Sequence, residues 1–177
     1  MQLFTSKPAD IASRLPSEAA VYDLLERLEI PYERADHPPM RTMEDCSGMD
    51  QILRIHMCKN LFLTTSSKDA YYLLMMPGEK KFKTSIVSHQ IGSSRLSFAD
   101  ADHMQQYLGI LPGAVSVMGL MNDTGHHVQL LVDRDVLSEE YLGCHPCVNT
   151  SSLRLLTADV FEKFLPATGH DYTVIDL

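Results

Sequence analysis

Two adjacent runs of strand-forming residues constrain the fold of this chain more than any other feature. Residues 59–65 and 70–76 are rich in residues that favour strands, and residues 66–69 supply the turn between them. The second run is also the longest unbroken apolar stretch, and its seven residues fall far short of the roughly 20 that a membrane-spanning helix needs. The sequence therefore predicts a β-hairpin and no transmembrane helix.

Helical and extended patterns alternate along the rest of the chain. Predicted helices begin at Ser17 (ending at Pro31), at Thr42 in a capping box with Asp45, at Thr84, at Asp100 or Ser97, and at Thr157 or Asp159. Further predicted strands cover residues 32–35, 95–98, 114–121, 128–132, 152–156 and 173–177, with a second hairpin turn at residues 122–125. This order predicts an α/β (α+β) fold, in which a mixed, largely antiparallel curved sheet carries surrounding helices. No linker interrupts it, so we expect one domain over residues 1–177.

Charge is distributed unevenly along the sequence. The formal net charge of −8 disfavours wrapping a long nucleic acid, because phosphate affinity comes mainly from counterions released at Lys and Arg contacts, and we expect no DNA partner. Residues 59–95 differ, with six basic and two acidic side chains. This region is either a solvated turn between strands or a basic surface that binds one end of an RNA. The N-terminus has no apolar stretch long enough for a secretory signal, which points to the cytoplasm.

The segment Cys144-His-Pro-Cys147 has a spacing at which two thiolates can share a metal ion or form a redox disulfide. A zinc site needs two further ligands, and neither His56 with Cys58 nor the pair at 126–127 has a matching spacing. A redox motif requires a helix after the first cysteine, and residues 148–150 do not resemble the start of one. The third interpretation is that both cysteines are buried apolar residues beside a functional His-Pro. No metal site is predicted.

Lys59 is the one charged residue in an otherwise apolar stretch that opens the first strand of the hairpin. Its ammonium group either lies at the sheet rim in solvent or points into a cleft where it meets an anion. The sequence contains neither a G-x-S-x-G hydrolase motif nor a phosphate-binding loop. Lys59 is therefore a candidate site residue, although its residue type alone does not decide whether the ammonium group lies in solvent or in a cleft.

Four motifs in register resemble a known family. They are Lys59-Asn-Leu-Phe-Leu, Arg95-Leu-Ser-Phe-Ala, the segment 108–115, and His145-Pro-x-x-Asn149-Thr. Together they resemble the YbaK/prolyl-tRNA-synthetase-associated editing domains, in particular the freestanding ProXp-ala (PrdX) branch, over residues 17–177. The resemblance implies a trans-editing aminoacyl-tRNA deacylase that hydrolyses alanine mischarged onto proline tRNA, without a metal ion or other cofactor. The implied partners are the acceptor 3′ end of that tRNA and prolyl-tRNA synthetase.

The resemblance also implies roles for individual residues. Lys59 would hold the terminal adenosine and its phosphate, and Asn60 would orient the ester or the ribose. Gly113 begins the loop that is G-x-x-x-P in the family, and its backbone N–H would face the aminoacyl group. The implied pocket is completed by His145, Asn149 and Asp133.

One position departs from the family pattern. Val117 stands where the family usually has the proline that closes the loop, which puts the loop geometry and the amino-acid preference in question. Met118 is an expected part of the pocket wall, where steric exclusion would separate alanine from proline. Val117 favours one alternative function, a relative that binds an aminoacyl group without hydrolysing it. The other alternative is a thiol-redox or zinc protein built on the two cysteines.

Overall fold

Two β-sheets form the frame of this chain, whose computed structural model describes residues 2–40 and 48–177. The first sheet is antiparallel, and its strands in spatial order are β1 (Leu3–Phe4), β2 (Tyr32–Asp36), β8 (Ser151–Leu156) and β7 (Tyr141–Cys144). The second is mixed, and its strands in spatial order are β5 (Leu96–Phe98), β3 (Cys58–Thr65), β4 (Tyr71–Pro77), β6 (Val128–Asp133) and β9 (Tyr172–Ile175). The predicted α/β class with mixed, largely antiparallel pairing is confirmed, but the strands divide into two sheets.

Short helices connect and cover these strands. They are α1 (Pro16–Arg27), α2 (Met49–Leu53), α3 (Thr84–Gln90), α4 (Ala101–His103), α5 (Arg134–Ser138), α6 (Thr157–Asp159) and α7 (Leu165–Thr168). A π-helical turn (Met104–Leu108) extends α4, another (Val160–Phe164) joins α6 to α7, and 3-10 turns lie at Ile11–Ser13 and Val117–Asn122. No helix in the described part of the chain has the length and apolar character that crossing a bilayer requires.

The main core lies between the two sheets. Phe62 and Leu73 from the second sheet pack in one buried cluster with Leu153 from the first and with Leu25 from α1. A smaller cluster covers the opposite face of the second sheet, where Val87 of α3 is buried. Every residue of the central strand β4 is consequently buried, which is why its sequence reads as a continuous apolar run.

The β3–β4 hairpin is confirmed with its predicted boundaries to within a residue. The predicted strand over residues 114–121 is wrong. The Ser116 hydroxyl accepts a hydrogen bond from the N–H of Met118 and starts a 3-10 turn, in which Gly119 packs so closely on Ile110 and Leu108 that a Cβ would not fit. The hairpin predicted around residues 122–125 therefore does not form, and β6 instead pairs in parallel with β4 and with β9.

Helix starts were predicted with mixed success. Asp100 caps α4 by accepting a bond from the N–H of His103. Ser17 is not a cap, because Pro16 already occupies the first helical position. The helix also ends at Arg27, well before Pro31. The predicted capping box at 42–45 lies outside the described residues.

Asp123 is a buried carboxylate that fixes the turn before β6. It accepts hydrogen bonds from the backbone N–H groups of His127 and Val128 and from Nε2 of His170. We expect Asp123→Ala to lower the free energy of unfolding by about 2–4 kcal/mol, because it leaves several buried donors without an acceptor. Urea denaturation measures this, with the exposed Asp171→Ala as a control that stays close to wild type.

The same carboxylate should make stability depend on pH. Burial alone would raise the pKa of Asp123, but the hydrogen bonds from Val128, His127 and His170 outweigh burial and hold the pKa below its ordinary 3.8. Such a group stabilises the fold above the unfolded-state pKa, and this contribution is lost as pH falls through the folded-state value. Between about pH 7 and about pH 3, Asp123→Ala should therefore lose less stability than wild type. Equal losses would contradict this role.

Candidate functional site

A cavity of about 380 Å³ lies at the junction of the two sheets. The start of β3 contributes Lys59 and Asn60, the loop before the Val117–Asn122 turn contributes Gly113, and the chain after β7 contributes His145. The remaining wall is largely apolar, and it includes Met57, Phe62, Met104, Val115 and Phe98. The structure thus brings together the four residues predicted to be catalytic, from three separate parts of the chain.

The cavity exists because β3 is covered along only half of its outer edge. The edge strand β5 pairs with β3 from Leu63 to Thr65, and its last contact is the N–H of Ala99 bonding to the carbonyl of Phe62. Backbone groups of alternate residues point to the same side of a strand, so the N–H and C=O of Asn60 face the uncovered edge. This part of the strand presents main-chain donors and acceptors to the cavity.

Asn60 also has an unpaired side-chain acceptor. Its Oδ1 atom is buried and makes no hydrogen bond with any residue that the structure describes. A buried acceptor without a donor costs about 1–3 kcal/mol, so a ligand that supplies an N–H or O–H group at this point would be stabilised. Ammonium and hydroxyl groups both meet that requirement.

Lys59 is held at the cavity wall by the main chain that follows β4. Its Nζ donates a hydrogen bond to the carbonyl oxygen of Lys80 at 2.6 Å. An ammonium group has three donors, so this bond positions the charge and leaves donors for an anion. The side chain of Lys59 is half-buried and lines the cavity. The ammonium group is therefore neither fully in solvent nor fully inside a cleft, but lies at the border of the cavity.

His145 is oriented by the first sheet. Its Nδ1 lies 2.8 Å from the carbonyl oxygen of Ser151, and because a carbonyl only accepts, Nδ1 carries the proton. Nε2 therefore presents its lone pair, and it has no hydrogen-bond partner among the described residues. Burial of the ring lowers the pKa of His145, the bond to Ser151 opposes this, and the nearby ring of His37 lowers it further. The imidazole is therefore a neutral acceptor at physiological pH.

A second histidine, which the sequence did not single out, completes this arrangement. His37 Nδ1 donates to the carbonyl oxygen of Pro38, so its Nε2 accepts the proton of the Ser152 hydroxyl at 2.9 Å. The same hydroxyl oxygen lies 3.4 Å from Nδ1 of His145. His37 and Ser152 thus fix the orientation of His145 from behind. In the sequence, His37 lies in an Asp36-His-Pro segment directly after the predicted strand at residues 32–35; this segment belongs to the family resemblance, which implied no role for His37.

Gly113 lies between the cavity and a larger one of about 1220 Å³. Its φ angle of 91° lies in the region that favours glycine, so a side chain here would strain the loop. The larger cavity includes Asn149, which lines it and not the smaller cavity. Asn149 therefore lines a different cavity from Lys59 and His145, and Gly113 is the residue that borders both cavities.

Three other predicted pocket residues lie elsewhere, and their assignment is corrected. Val117 and Met118 are completely buried in the main core and line neither cavity. Asp133 is also fully buried, and its carboxylate binds Lys80 Nζ at 2.9 Å and caps α5. It reaches the site only indirectly, since Lys80 is the residue whose carbonyl holds Lys59.

The cysteine pair has the character of core residues. Cys144 and Cys147 are buried and unbridged. Burial raises the pKa of Cys144 to about 12 and also raises that of Cys147, so neither forms a thiolate readily. Within residues 2–40 and 48–177, no three His, Cys, Asp or Glu side chains cluster closely enough to hold a metal ion. His56, one of the ligands considered for zinc, bonds to Glu139 instead.

Comparison with known proteins gives consistent matches. Residues 37–163 match the model of the aminoacyl-tRNA editing domain. The chain is 31% identical to the prolyl-tRNA editing protein ProX of Acetoanaerobium sticklandii, with 92% of this chain and 99% of that protein covered. It is 30% identical to the bovine (Bos taurus) prolyl-tRNA synthetase associated domain-containing protein 1, with 89% and 94% covered.

Solved structures show the same fold. A crystal structure described as a candidate trans-editing enzyme for prolyl tRNA synthetase superposes with a TM-score of 0.68 at 18% identity, covering 93% of this chain and 98% of that one. The hypothetical protein APE2540 gives a TM-score of 0.66 at 19% identity, covering 88% and 97%. The arrangement of two sheets is therefore shared with these proteins.

The state of His145 can be measured directly. We expect ¹⁵N NMR of the imidazoles to show His145 protonated at Nδ1, with a pKa below the ordinary 6.5, because burial disfavours the charged ring. Ser152→Ala should alter the chemical shifts of both His145 and His37, whereas the exposed His89 should be unaffected. A His145 that carries its proton on Nε2 or titrates above 6.5 would contradict the geometry.

Proposed function

Because this chain belongs to the aminoacyl-tRNA editing domain family, we propose that it is a trans-editing deacylase that hydrolyses alanine mischarged onto proline tRNA. The observation that carries the proposal is the convergence of Lys59, Asn60, Gly113 and His145 on one cavity. The proposed partners are the acceptor 3′ end of the tRNA and prolyl-tRNA synthetase as the source of the mischarged product. A binding protein without activity is the alternative.

Hydrolysis of an aminoacyl ester requires few catalytic groups from the protein, because the ester is already activated. Water attacks the ester carbonyl carbon, the bond from that carbon to the ribose oxygen breaks, and the ribose hydroxyl is restored with a proton from the water. The enzyme has to position the water and stabilise the negative charge that develops on the carbonyl oxygen. Neither step requires a protein nucleophile.

The residues of the cavity fit these tasks. The backbone N–H of Gly113 is the proposed donor to the carbonyl oxygen, since only a residue without a side chain permits close approach in that loop conformation. Lys59 is the proposed contact for the phosphate or ribose of the terminal nucleotide. Asn60 Oδ1 would accept a hydrogen bond from the substrate's ammonium group, and Nε2 of His145 one from water or from a ribose hydroxyl.

The size of the cavity supports a small aminoacyl group. A volume of about 380 Å³ lies near the lower end of the range for ligand pockets, and the terminal ribose must share it. Discrimination by a missing methylene is weak, so rejection of proline would come from steric overlap with the apolar wall around Phe62 and Val115. Val117 would influence this wall through the loop, because its own side chain faces the core.

A panel of mischarged tRNAs tests the activity. With purified protein, alanyl-tRNA is expected to be hydrolysed fastest, seryl- and cysteinyl-tRNA more slowly, and prolyl-tRNA at the uncatalysed rate, since the wall excludes its ring. Release of labelled amino acid measures each rate. Binding of alanyl-tRNA without hydrolysis would contradict the deacylase and support the binding protein.

Lys59→Ala tests the site. Loss of one ammonium contact to a phosphate is expected to lower kcat/KM for alanyl-tRNA by about 10- to 100-fold. The matched control is Lys163→Ala, because Lys163 is half exposed on the helix that runs from α6 to α7 and, among the described residues, pairs with Asp159 alone. If the two variants hydrolysed alanyl-tRNA at equal rates, the proposed role of Lys59 would be contradicted, but the deacylase activity itself would not.

A further inference from the structure

Most basic side chains of this acidic protein are already neutralised by carboxylates. In the described part of the chain, nine of fourteen lysine and arginine residues form ion pairs. The five that form none with a described residue are Arg27, Lys59, Lys81, Lys83 and Arg95. Three of these five, Lys59, Lys81 and Lys83, belong to the start of β3 and to the chain after β4, which are joined by the bond from Lys59 to Lys80. Cations without a described counter-ion that lie close together favour an anion.

The chain from Lys80 to Lys83 links Lys59 to the far rim of the cavity. At one end, the Lys80 carbonyl accepts the hydrogen bond from Lys59. At the other end, the ring of Phe82 lies 5.8 Å from that of Phe98, which lines the cavity. Lys81 and Lys83 flank Phe82 and are both exposed. Two exposed cations are therefore the chain neighbours of the ring that contacts Phe98 at the rim of the cavity.

Phe98 is the most exposed large apolar residue that the structure describes, at 66%. Single exposed apolar residues are ordinary on protein surfaces. Phe98 is distinguished by its place, because it lies on edge strand β5 at the rim of the cavity and is supported by Phe82. An exposed aromatic face beside unpaired cations is the arrangement that binds single-stranded nucleic acid, in which bases stack and phosphates pair with lysines.

We propose that Phe98, supported by Phe82, is the platform on which a base of a single-stranded RNA 3′ end stacks, and that Lys81 and Lys83 contact the adjoining phosphates. The proposal rests on the proposed function for the identity of the RNA as the tRNA acceptor end. Stacking places the terminal ribose over the cavity that contains Lys59 and Asn60. Arg95 is not part of this surface, because it precedes the end of β5 that pairs with Thr65, at the opposite end of β3 from Lys59.

Binding of an uncharged RNA tests the platform without any reaction. The probe is a short single-stranded RNA that ends in CCA, with 2-aminopurine as the terminal base, whose fluorescence is quenched by stacking. Wild type is expected to quench it saturably. Phe98→Leu, which keeps an apolar side chain but removes the π face, is expected to raise Kd about 5- to 100-fold, and Phe98→Tyr is expected to restore binding.

Tyr172→Leu is the matched control. Tyr172 is a 40% exposed aromatic residue on β9, the opposite edge of the same sheet, and its loss is expected to leave Kd unchanged. Equal Kd values for wild type and Phe98→Leu would overturn the platform. Equal weakening by Phe98→Leu and Tyr172→Leu would also overturn it, because the effect would then not be specific to the cavity rim.

The lysines are tested by the salt dependence of the same binding. The double variant Lys81→Ala/Lys83→Ala is expected to reduce the slope of log Kd against log salt by about 1.4, at roughly 0.7 per phosphate contact. An unchanged slope would overturn their role. The two proposals can fail separately. Saturable quenching by a wild-type protein that does not deacylate would contradict only the proposed enzyme activity. Deacylation by wild type, together with a wild-type Kd for Phe98→Leu, would contradict only the proposed stacking platform.

Discussion

The unequal lengths of β3 and β5 determine where the cavity lined by Lys59 and His145 forms. The edge strand pairs with β3 only from Leu63 to Thr65, so the first half of β3 has one uncovered edge. An uncovered strand edge is normally a liability, because its backbone groups attract other strands. Here the first sheet closes over it, since Met57 forms a bridge to Gly143 and places His145 opposite the open backbone. The cavity is therefore a consequence of strand pairing.

Each side of the cavity is positioned by buried polar contacts that lie outside it. On one side, Asp133 binds Lys80, and the Lys80 carbonyl binds Lys59, so a carboxylate in the core indirectly orients an ammonium at the surface. On the other side, the hydroxyl of Ser152 bonds to His37 and lies near the ring of His145. Such supporting contacts restrict the rotamers of residues that would face a substrate, which is what a preorganised site requires.

The sequence predicted the elements whose patterns are local, and it failed where the decision was made by distant parts of the chain. The β3–β4 hairpin and the helix start at Asp100 follow from adjacent residues. The stretch 114–121 has the apolar composition of a strand, yet Ser116 and the close packing of Gly119 turn it into a 3-10 helix. The division into two sheets, and hence the place of β7, depends on pairings that composition does not encode.

The site was predictable in the same uneven way. Lys59, Asn60, Gly113 and His145, which the family resemblance implied to share a site, line one cavity, and of the four only Lys59 stood out by its residue type. Asp133 could not be distinguished from a pocket residue by sequence, because its buried partner Lys80 was unknown, and the residue types of Val117 and Met118 suit a core as well as a pocket wall.

The arrangement of charge explains how an acidic protein can still have a surface for an anion. Where Lys and Arg are paired, as Arg14 and Arg34 are with Asp36, the ions serve the fold, and these guanidinium groups outweigh burial to lower the pKa of Asp36 to about 2. The cations at 81 and 83 have no such partners among the described residues, although the formal net charge of the whole chain is −8. For the proposed RNA ligand, a net negative charge combined with one local positive region would favour recognition of an end over recognition of a long duplex.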